Sequence, residues 1–368
     1  MGGARVCIPA MDVKTSPGTI ELKARYEWKR VVSLLALTGG VGVLALVSLV
    51  SLQMGIADIS LGETADALLK LVRREASITV EQKIVLLLRL PRVVLAVLAG
   101  AALSVSGVVM QALTRNPLVS PFTIGVSSAA AFGASVAIVF GFAIVPGTVG
   151  GVVVNAFSFA VLCALLVYAI SWKLGMSPET LILTGIALNY LFAALTSTVQ
   201  YVAEEHQLAA AVQWAFGSLN DASWDQNLFL AVVLTVSLPV LQRFSLSFNA
   251  LTAGGDELTK SIGANPTSIK AITGMAAVLL TASTISFTGV IGFVGLVGPH
   301  IARLLIGGDH PRLLPFSVVI GAILVVLADT IGRTLISPVV IPVGIVISFL
   351  GVPLFLSLII ARRTRYSG

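Results

Sequence analysis

Residues Val31–Leu52 read VVSLLALTGGVGVLALVSLVSL, a run without one charged side chain. A helix needs roughly 20 apolar residues to cross the hydrocarbon core of a bilayer. This stretch supplies them. It does not alternate apolar and polar residues, so it does not fit a strand of a membrane β-barrel, and Phe316–Ala328 fails to alternate in the same way. The expected unit is a membrane-spanning α-helix.

Composition extends that reading to the whole chain. Of 368 residues, 57% are hydrophobic and only 11% charged, and the mean hydropathy is +1.00. A soluble domain carries about 25% charged residues. A chain this poor in charge cannot cover a water-facing surface, so lipid must act as its solvent. The net charge of +6 fits basic residues kept on cytoplasmic loops, and no basic stripe with interleaved aromatics suggests nucleic acid. The two cysteines, Cys7 and Cys163, offer no disulfide framework or zinc spacing. The polar first 30 residues do not read as a signal peptide. Val6 stands where a myristoylation site needs Ser or Thr.

The pattern predicts an all-α membrane protein of about ten transmembrane helices: Val31–Leu52, Val93–Leu113, Pro121–Phe142, Gly147–Ile170, Thr180–Val202, Asn227–Phe244, Ala271–Val290, Val294–Ile306, Leu314–Ile331 and Val339–Ala361. Residues 1–30 form a cytoplasmic arm, 31–361 the membrane domain and 362–368 a cytoplasmic tail. Gln53–Arg92 and Ser245–Lys270 are the longest polar stretches between segments. The eighth segment is interrupted by Gly292, Gly295, Gly298 and Pro299, and irregular backbone at membrane depth must be buried in protein or line a cavity. With the N-terminus inside, most of the 23 Lys and Arg residues fall on cytoplasmic segments. Both termini are therefore expected in the cytoplasm, which requires an even number of spans.

Small residues recur at four-residue spacing in Ala96-Gly100-Ser104, Gly125-Ala129-Gly133 and Gly344-Ser348. Such rows serve close helix packing or a pore wall, packing being the commoner use. Chemistry is sparse. His206, His300 and His310 have no His, Cys or carboxylate at metal-ligand spacing, so no metal site is expected. His206 follows Glu204 and Glu205 in an external loop, where solvated side chains are commoner than ligands. No G-x-x-x-x-G-K-[ST] occurs, so the chain lacks the P-loop route to ATP hydrolysis. No nucleophile elbow or H-E-x-x-H occurs either, which argues against a membrane enzyme. An ion-coupled secondary transporter would show several intramembrane charges. Here only Asp329 qualifies, and Arg333 four residues on makes it a local ion pair. The energy source is expected outside the chain.

Arg89-Leu-Pro-Arg92, Gly100-Ala-Ala-Leu-Ser-Val-Ser-Gly107, Gln111 and Arg115-Asn-Pro-Leu118 occur in that order. They are followed by Pro121-Phe-Thr-Ile-Gly-Val-Ser127, Trp214-Ala-Phe-Gly-Ser-Leu219 and Gly289-Val-Ile-Gly-Phe-Val-Gly-Leu-Val-Gly-Pro-His300, then Ala328-Asp-Thr-Ile-Gly-Arg333 and Ile341-Pro-Val-Gly-Ile345. This ordered set resembles the permease family of iron–siderophore, haem and vitamin B12 ABC importers, from about residue 30 onward. The resemblance implies ten helices per subunit in the prokaryotic cell (inner) membrane and a dimer of permease copies, with the path at their interface. It implies that the fifth and tenth segments line much of that path. It also implies two separate ATP-binding subunits inside, holding ATP and Mg, and an extracytoplasmic substrate-binding protein. No cofactor is expected in this chain.

The same resemblance suggests residue roles. Arg89, Arg92 and Arg333 would pair with carboxylates of the binding protein, as exposed guanidinium forks do; their other use is snorkelling at the interface. Gly254–Pro266 looks like a pair of coupling helices for the ATPase, with Asp256 and Glu257 in a first turn, Gly263 as the break, and Ala264, Asn265 and Pro266 after it. The alternative there is an ordinary solvated loop. Asn116, Pro117 and Leu118, with Met176 and Ser177, resemble an inner gate. The expected function is passage of a bulky metal chelate, ferric siderophore first and haem or cobalamin next.

Overall fold

The computed structural model describes residues 17–55, 59–73, 79–145 and 150–366. Among them the chain is all-helical and holds no strand. Helix α1 (Pro17–Gln53) is followed by α2 (Leu61–Arg73) and α3 (Val80–Lys83), which runs through a π-helical turn (Ile84–Arg89) into α4 (Leu90–Thr114). A 3-10 turn, Pro121–Ile124, leads into α5 (Val126–Phe140) and α6 (Gly151–Lys173). Next come α7 (Pro178–Tyr201), α8 (Glu205–Ala215), α9 (Trp224–Arg243) and α10 (Ser245–Ser261). The chain closes with α11 (Pro266–Thr288), α12 (Val294–Ile306), α13 (His310–Thr334) and α14 (Val343–Tyr366).

A helix lies over each of the ten predicted segments. By length and composition, seven stretches can cross a membrane: 30–53, 80–114, 151–173, 178–201, 224–243, 266–288 and 310–334. Helices α5 and α12 and the start of α14, Val343–Pro353, are apolar but shorter. At 13 residues α12 rises only about 20 Å.

Several boundaries differ from expectation. Residues 17–30 of the predicted arm continue α1, because nothing there breaks a helix once it has begun. Likewise α14 runs on to Tyr366, into the predicted tail. Gly147 lies outside the described residues, and the helix of that segment begins at Gly151. The polar stretch after Gln53 carries α2 and α3. Ser60 caps the start of α2, its backbone and hydroxyl both donating to the Glu63 carboxylate at 2.8 and 2.9 Å. Thr79 and Gln82 form a reciprocal capping box for α3, and Gln82 donates to Asp66 at 2.6 Å, tying α3 to α2. The glycines expected to break the eighth segment instead precede or pack it. Gly289 (φ 66°) and Phe293 (φ 62°) hold the irregular stretch, and α12 runs unbroken through Pro299.

Helix α4 is the axis of the molecule. Nearly every side chain from Ala99 to Thr114 is buried, against α9, α11, α12 and α13. Glycine allows this. A methyl at Gly100 would collide with the Gly321 carbonyl of α13, and one at Gly107 with the Gly295 carbonyl of α12. Ser106 uses its hydroxyl twice, toward the Ala102 carbonyl (2.7 Å) and the Ala277 carbonyl of α11 (3.0 Å). The rows Ala96-Gly100-Ser104 and Gly125-Ala129-Gly133 therefore serve packing, the second against Asn155 of α6.

Candidate functional site

The three predicted docking arginines lie at one end of the bundle, and two of them, Arg89 and Arg333, hold the end of α1. A helix leaves its last carbonyls without intrahelical donors, and cations are favoured there. Arg89 fills this role, its Nη1 donating to the Leu52 and Gln53 carbonyls at 2.7 Å each. Arg333 donates to the Met54 carbonyl (2.9 Å), the Ser51 carbonyl (3.1 Å) and the Ser51 hydroxyl (2.7 Å). Its Nε reaches Asp329 at 3.0 Å, the ion pair expected from their spacing. Arg92 grips the same carboxylate from Nε (2.9 Å) and Nη2 (2.8 Å), and its Nη1 donates to Asn220 at 2.7 Å. The Asp329 side chain is 1% exposed, Arg333 8% and Arg92 15%. Exposed forks were expected of Arg89, Arg92 and Arg333. Instead they are turned inward, because the carbonyls ending α1 and the Asp329 carboxylate need donors.

At the other end lie the predicted gate and coupling residues. Helix α4 closes on Arg115 in the left-handed region (φ 51°), with the Asn116 backbone donating to the Gln111 carbonyl at 3.1 Å. The Asn116 side chain accepts from the Leu118 backbone at 3.0 Å, which sets the Asn116-Pro117-Leu118 turn and leaves Leu118 exposed. Helix α6 ends similarly at Gly175 and Met176 (φ 56°), and the Met176 backbone donates to the Ser171 carbonyl at 2.7 Å. Ser177 caps α7, accepting from the Thr180 backbone at 3.2 Å. Met176 is buried. What it offers its surroundings is its backbone carbonyl, not a free side chain.

The coupling stretch is more helical than a loop. Helix α10 breaks at Gly255, whose φ of 68° and ψ of −152° are non-helical. Asp256 and Glu257 then open a second helical piece, as expected of acidic residues at a helix start. Gly263 (φ 80°) ends it, and its neighbour Ala264 donates to the Thr259 carbonyl at 3.1 Å. Asn265 caps α11 by accepting from Thr267 (3.0 Å) and Ser268 (3.3 Å), and Pro266 takes the first position. The second of the expected coupling helices is thus the first turn of α11. The predicted break at Gly263 is present, and Gly255 adds another.

Sequence reasoning missed Lys270. It reads as one more inside-facing basic residue, yet it is 1% exposed. Its Nζ lies 2.8 Å from Asp256 and 2.9 Å from the Met176 carbonyl. The partners sit 14 and 94 residues away, so no local spacing could reveal them.

Three of the quoted motifs converge on one cavity of about 560 Å³. Gly217 (φ 73°) lets the chain after α8 approach the Val290 carbonyl, and Ser218 donates to the Thr288 carbonyl at 2.7 Å. Gly344, at the start of α14, lies against the Phe216 and Val290 carbonyls. Phe216, Gly292, Gly344, Ser348 and Phe349 are among the lining residues. The third small-residue row, Gly344-Ser348, therefore borders a cavity. No α7 residue lines it; α7 instead exposes Leu183, Tyr190 and Tyr201 on its free face. Among the described residues, no group of three His, Cys, Asp or Glu side chains could hold a metal ion. His206 is exposed beside Glu204, 3.5 Å from its carboxylate.

The chain is similar to known proteins. The hemin transport system permease HmuU of Yersinia pestis is 39% identical over 76% of this chain and 84% of its own. The Fe(3+)-citrate import system permease YfmD of Bacillus subtilis is 36% identical over 86% and 90%. A solved structure described as a metal-chelate type ABC transporter in an inward-facing conformation superposes with a TM-score of 0.75 at 31% identity, covering 89% of this chain and 99% of that one. The model of the FecCD transport family matches residues 43–361, from within α1 to within α14, and the chain belongs to that family.

Proposed function

We propose that this chain is the membrane permease subunit of an ATP-driven importer. It takes a bulky metal chelate from an extracytoplasmic binding protein into the cytoplasm. Ferric siderophore is the first candidate cargo, with haem and cobalamin next. The observation that carries the reading is the family match, which spans the coupling stretch as well as the helices. In this reading ten segments cross the cell membrane, α5, α12 and α14 being the short ones, and both termini face the cytoplasm. Two permease copies enclose the path, with the exposed face of α7 and the cavity beside α14 turned toward it. Two ATP-binding subunits, carrying ATP and Mg, engage Glu257, Lys260 and Ile262 on the exposed side of the coupling stretch, where Asp256 and Gly263–Pro266 set its shape. The binding protein docks at the end holding Arg89, Arg92 and Arg333, which frame that face rather than project from it. The cavity is walled mainly by apolar side chains and glycine backbone, so the path acts as a steric conduit and affinity resides in the binding protein.

Reconstitution tests this. Proteoliposomes holding the permease, its ATP-binding subunits and its binding protein should accumulate radiolabelled ferric siderophore only with ATP inside and binding protein outside. Haem and cobalamin are run in parallel to rank the cargo. Uptake driven by an ion gradient without the ATP-binding subunits would instead make the chain a secondary transporter.

A further inference from the structure

The helix break at Gly255 and Asp256 faces one predicted gate loop directly and is linked to the other through Lys270. Gly255 adopts a backbone conformation essentially reserved for glycine. A Cβ there would come within 2.6 Å of Arg115 Nη1. The Arg115 guanidinium therefore lies directly against the break, and Arg115 is the residue that leads into Asn116-Pro117-Leu118. The next residue, Asp256, holds Lys270 at 2.8 Å. Lys270 in turn donates to the carbonyl of Met176, in the second gate loop, at 2.9 Å. A buried ammonium is costly unless it is paired and hydrogen-bonded, and Lys270 is 1% exposed. Loss of either contact is therefore felt by the other.

We infer that the Gly255–Asp256 break is a junction through which the coupling stretch grips both gate loops at once, with Lys270 as the residue that positions the Met176-Ser177 loop. This rests on the importer reading above, in which the ATP-binding subunits move α10. A lysine that only stapled α10 to α11 would need Asp256 alone. The bond to Met176 reaches a third element. The Asp256 side chain is also 42% exposed while its partner is buried. A partner pressing on α10 can thus shift the carboxylate, and the ammonium must follow it or lose its charge pairing. Arg115 transmits the same displacement to the other loop by contact with Gly255.

Spin labels test the junction without knowledge of the cargo. Lys173→Cys, exposed at the end of α6, is labelled in a Cys7→Ser background, Cys163 being buried. The full complex with its ATP-binding subunits is held in lipid nanodiscs. Label-to-label distance between the two copies is read with and without ATP–vanadate, and the rate of ATP hydrolysis is measured separately without vanadate. In the complex without further substitution, nucleotide should change the distance. In Lys270→Met and in Asp256→Asn, the distance change taken as a ratio to the same variant's hydrolysis rate should fall about fivefold or more, the lower end of typical coupling factors. Lys270→Arg, which keeps the charge, should recover part of it. An unaltered ratio in the first two variants overturns the junction, whether both quantities persist or both decline together. If Lys270→Met does not fold, Asp256→Asn decides alone, since its side chain is part-exposed. A complex without these substitutions that neither hydrolyses ATP nor changes distance would remove the importer reading and the junction with it. A nucleotide response that survives both variants removes only the junction.

Discussion

Asp329 is the residue on which the arginine-bearing end of the bundle depends. With 1% of its side chain exposed it pairs with both Arg92 and Arg333. Breaking a buried ion pair by removing one partner costs about 3–5 kcal/mol, because the remaining charge is left uncompensated. Asp329→Asn should lose that much, seen as a lowered thermal midpoint of the purified permease in detergent. A change below about 1 kcal/mol would show water relieving both guanidiniums. Charge reversal of the arginines has the same character. Arg89→Glu with Arg92→Glu would set carboxylates against the Leu52 and Gln53 carbonyls and Asp329, so folding should fail before docking does. The spacing of Asp329 and Arg333 made their pair legible in sequence. The inward turn of Arg89 and Arg92 was not legible, because their acceptors lie 36 to 37 and 237 residues away.

Elements were legible where one property ran unbroken along the chain. Apolar runs with at most one charged residue revealed a helix over every predicted segment, since apolar length is the signal a bilayer demands. Helices α2, α3 and α8 were missed because each is short and polar on one side, and capping rather than hydropathy starts it. Helix α8, for instance, begins with Glu204 and Gln207 in a reciprocal box, and Gln207 then donates to the Val139 carbonyl of α5 at 3.0 Å. The C-terminal end of α1 is a similar case of polar control over an apolar element. Much of α1 faces outward, and Arg89 holds two of its last carbonyls. A hydrogen bond from a charged donor contributes about 1.5–3 kcal/mol. Arg89→Met should therefore let the end of α1 fray, raising amide exchange across residues 50–55 about tenfold or more. Exchange there that matches the native protein would assign the hold on α1 to Arg333 and Ser51 instead.

The whole molecule places glycine in two settings, the packed core and the rim of a cavity. In α4, Gly100 and Gly107 bring helix backbones together in the core, whereas Gly217 and Gly344 bring backbones together at the edge of a cavity. The four-residue rows looked alike in sequence because spacing reports only which side of a helix is small, not what stands opposite. The two kinds of site should respond differently to bulk. Gly107→Leu would force α4 and α12 apart, since even a methyl collides with the Gly295 carbonyl. Overpacking a core costs about 1–3 kcal/mol or more, so this variant should be recovered in low yield as an unstable protein. Ser348→Trp adds more volume, but into the open cavity, where Ser348 is only part-buried. It should fold with a native thermal midpoint and still assemble with its ATP-binding subunits. Cargo uptake in proteoliposomes should nevertheless fall by about tenfold or more, because an indole in a steric conduit raises the passage barrier by 1.4 kcal/mol or beyond. Hydrolysis should fall much less than uptake, since no residue of the coupling stretch lines this cavity and the Ser348 hydroxyl bonds the Gly344 carbonyl of its own helix. Native uptake by Ser348→Trp would move the path away from α14. Equal losses of uptake and hydrolysis would instead mean that the cavity closes and opens with the coupling stretch rather than merely carrying what it admits.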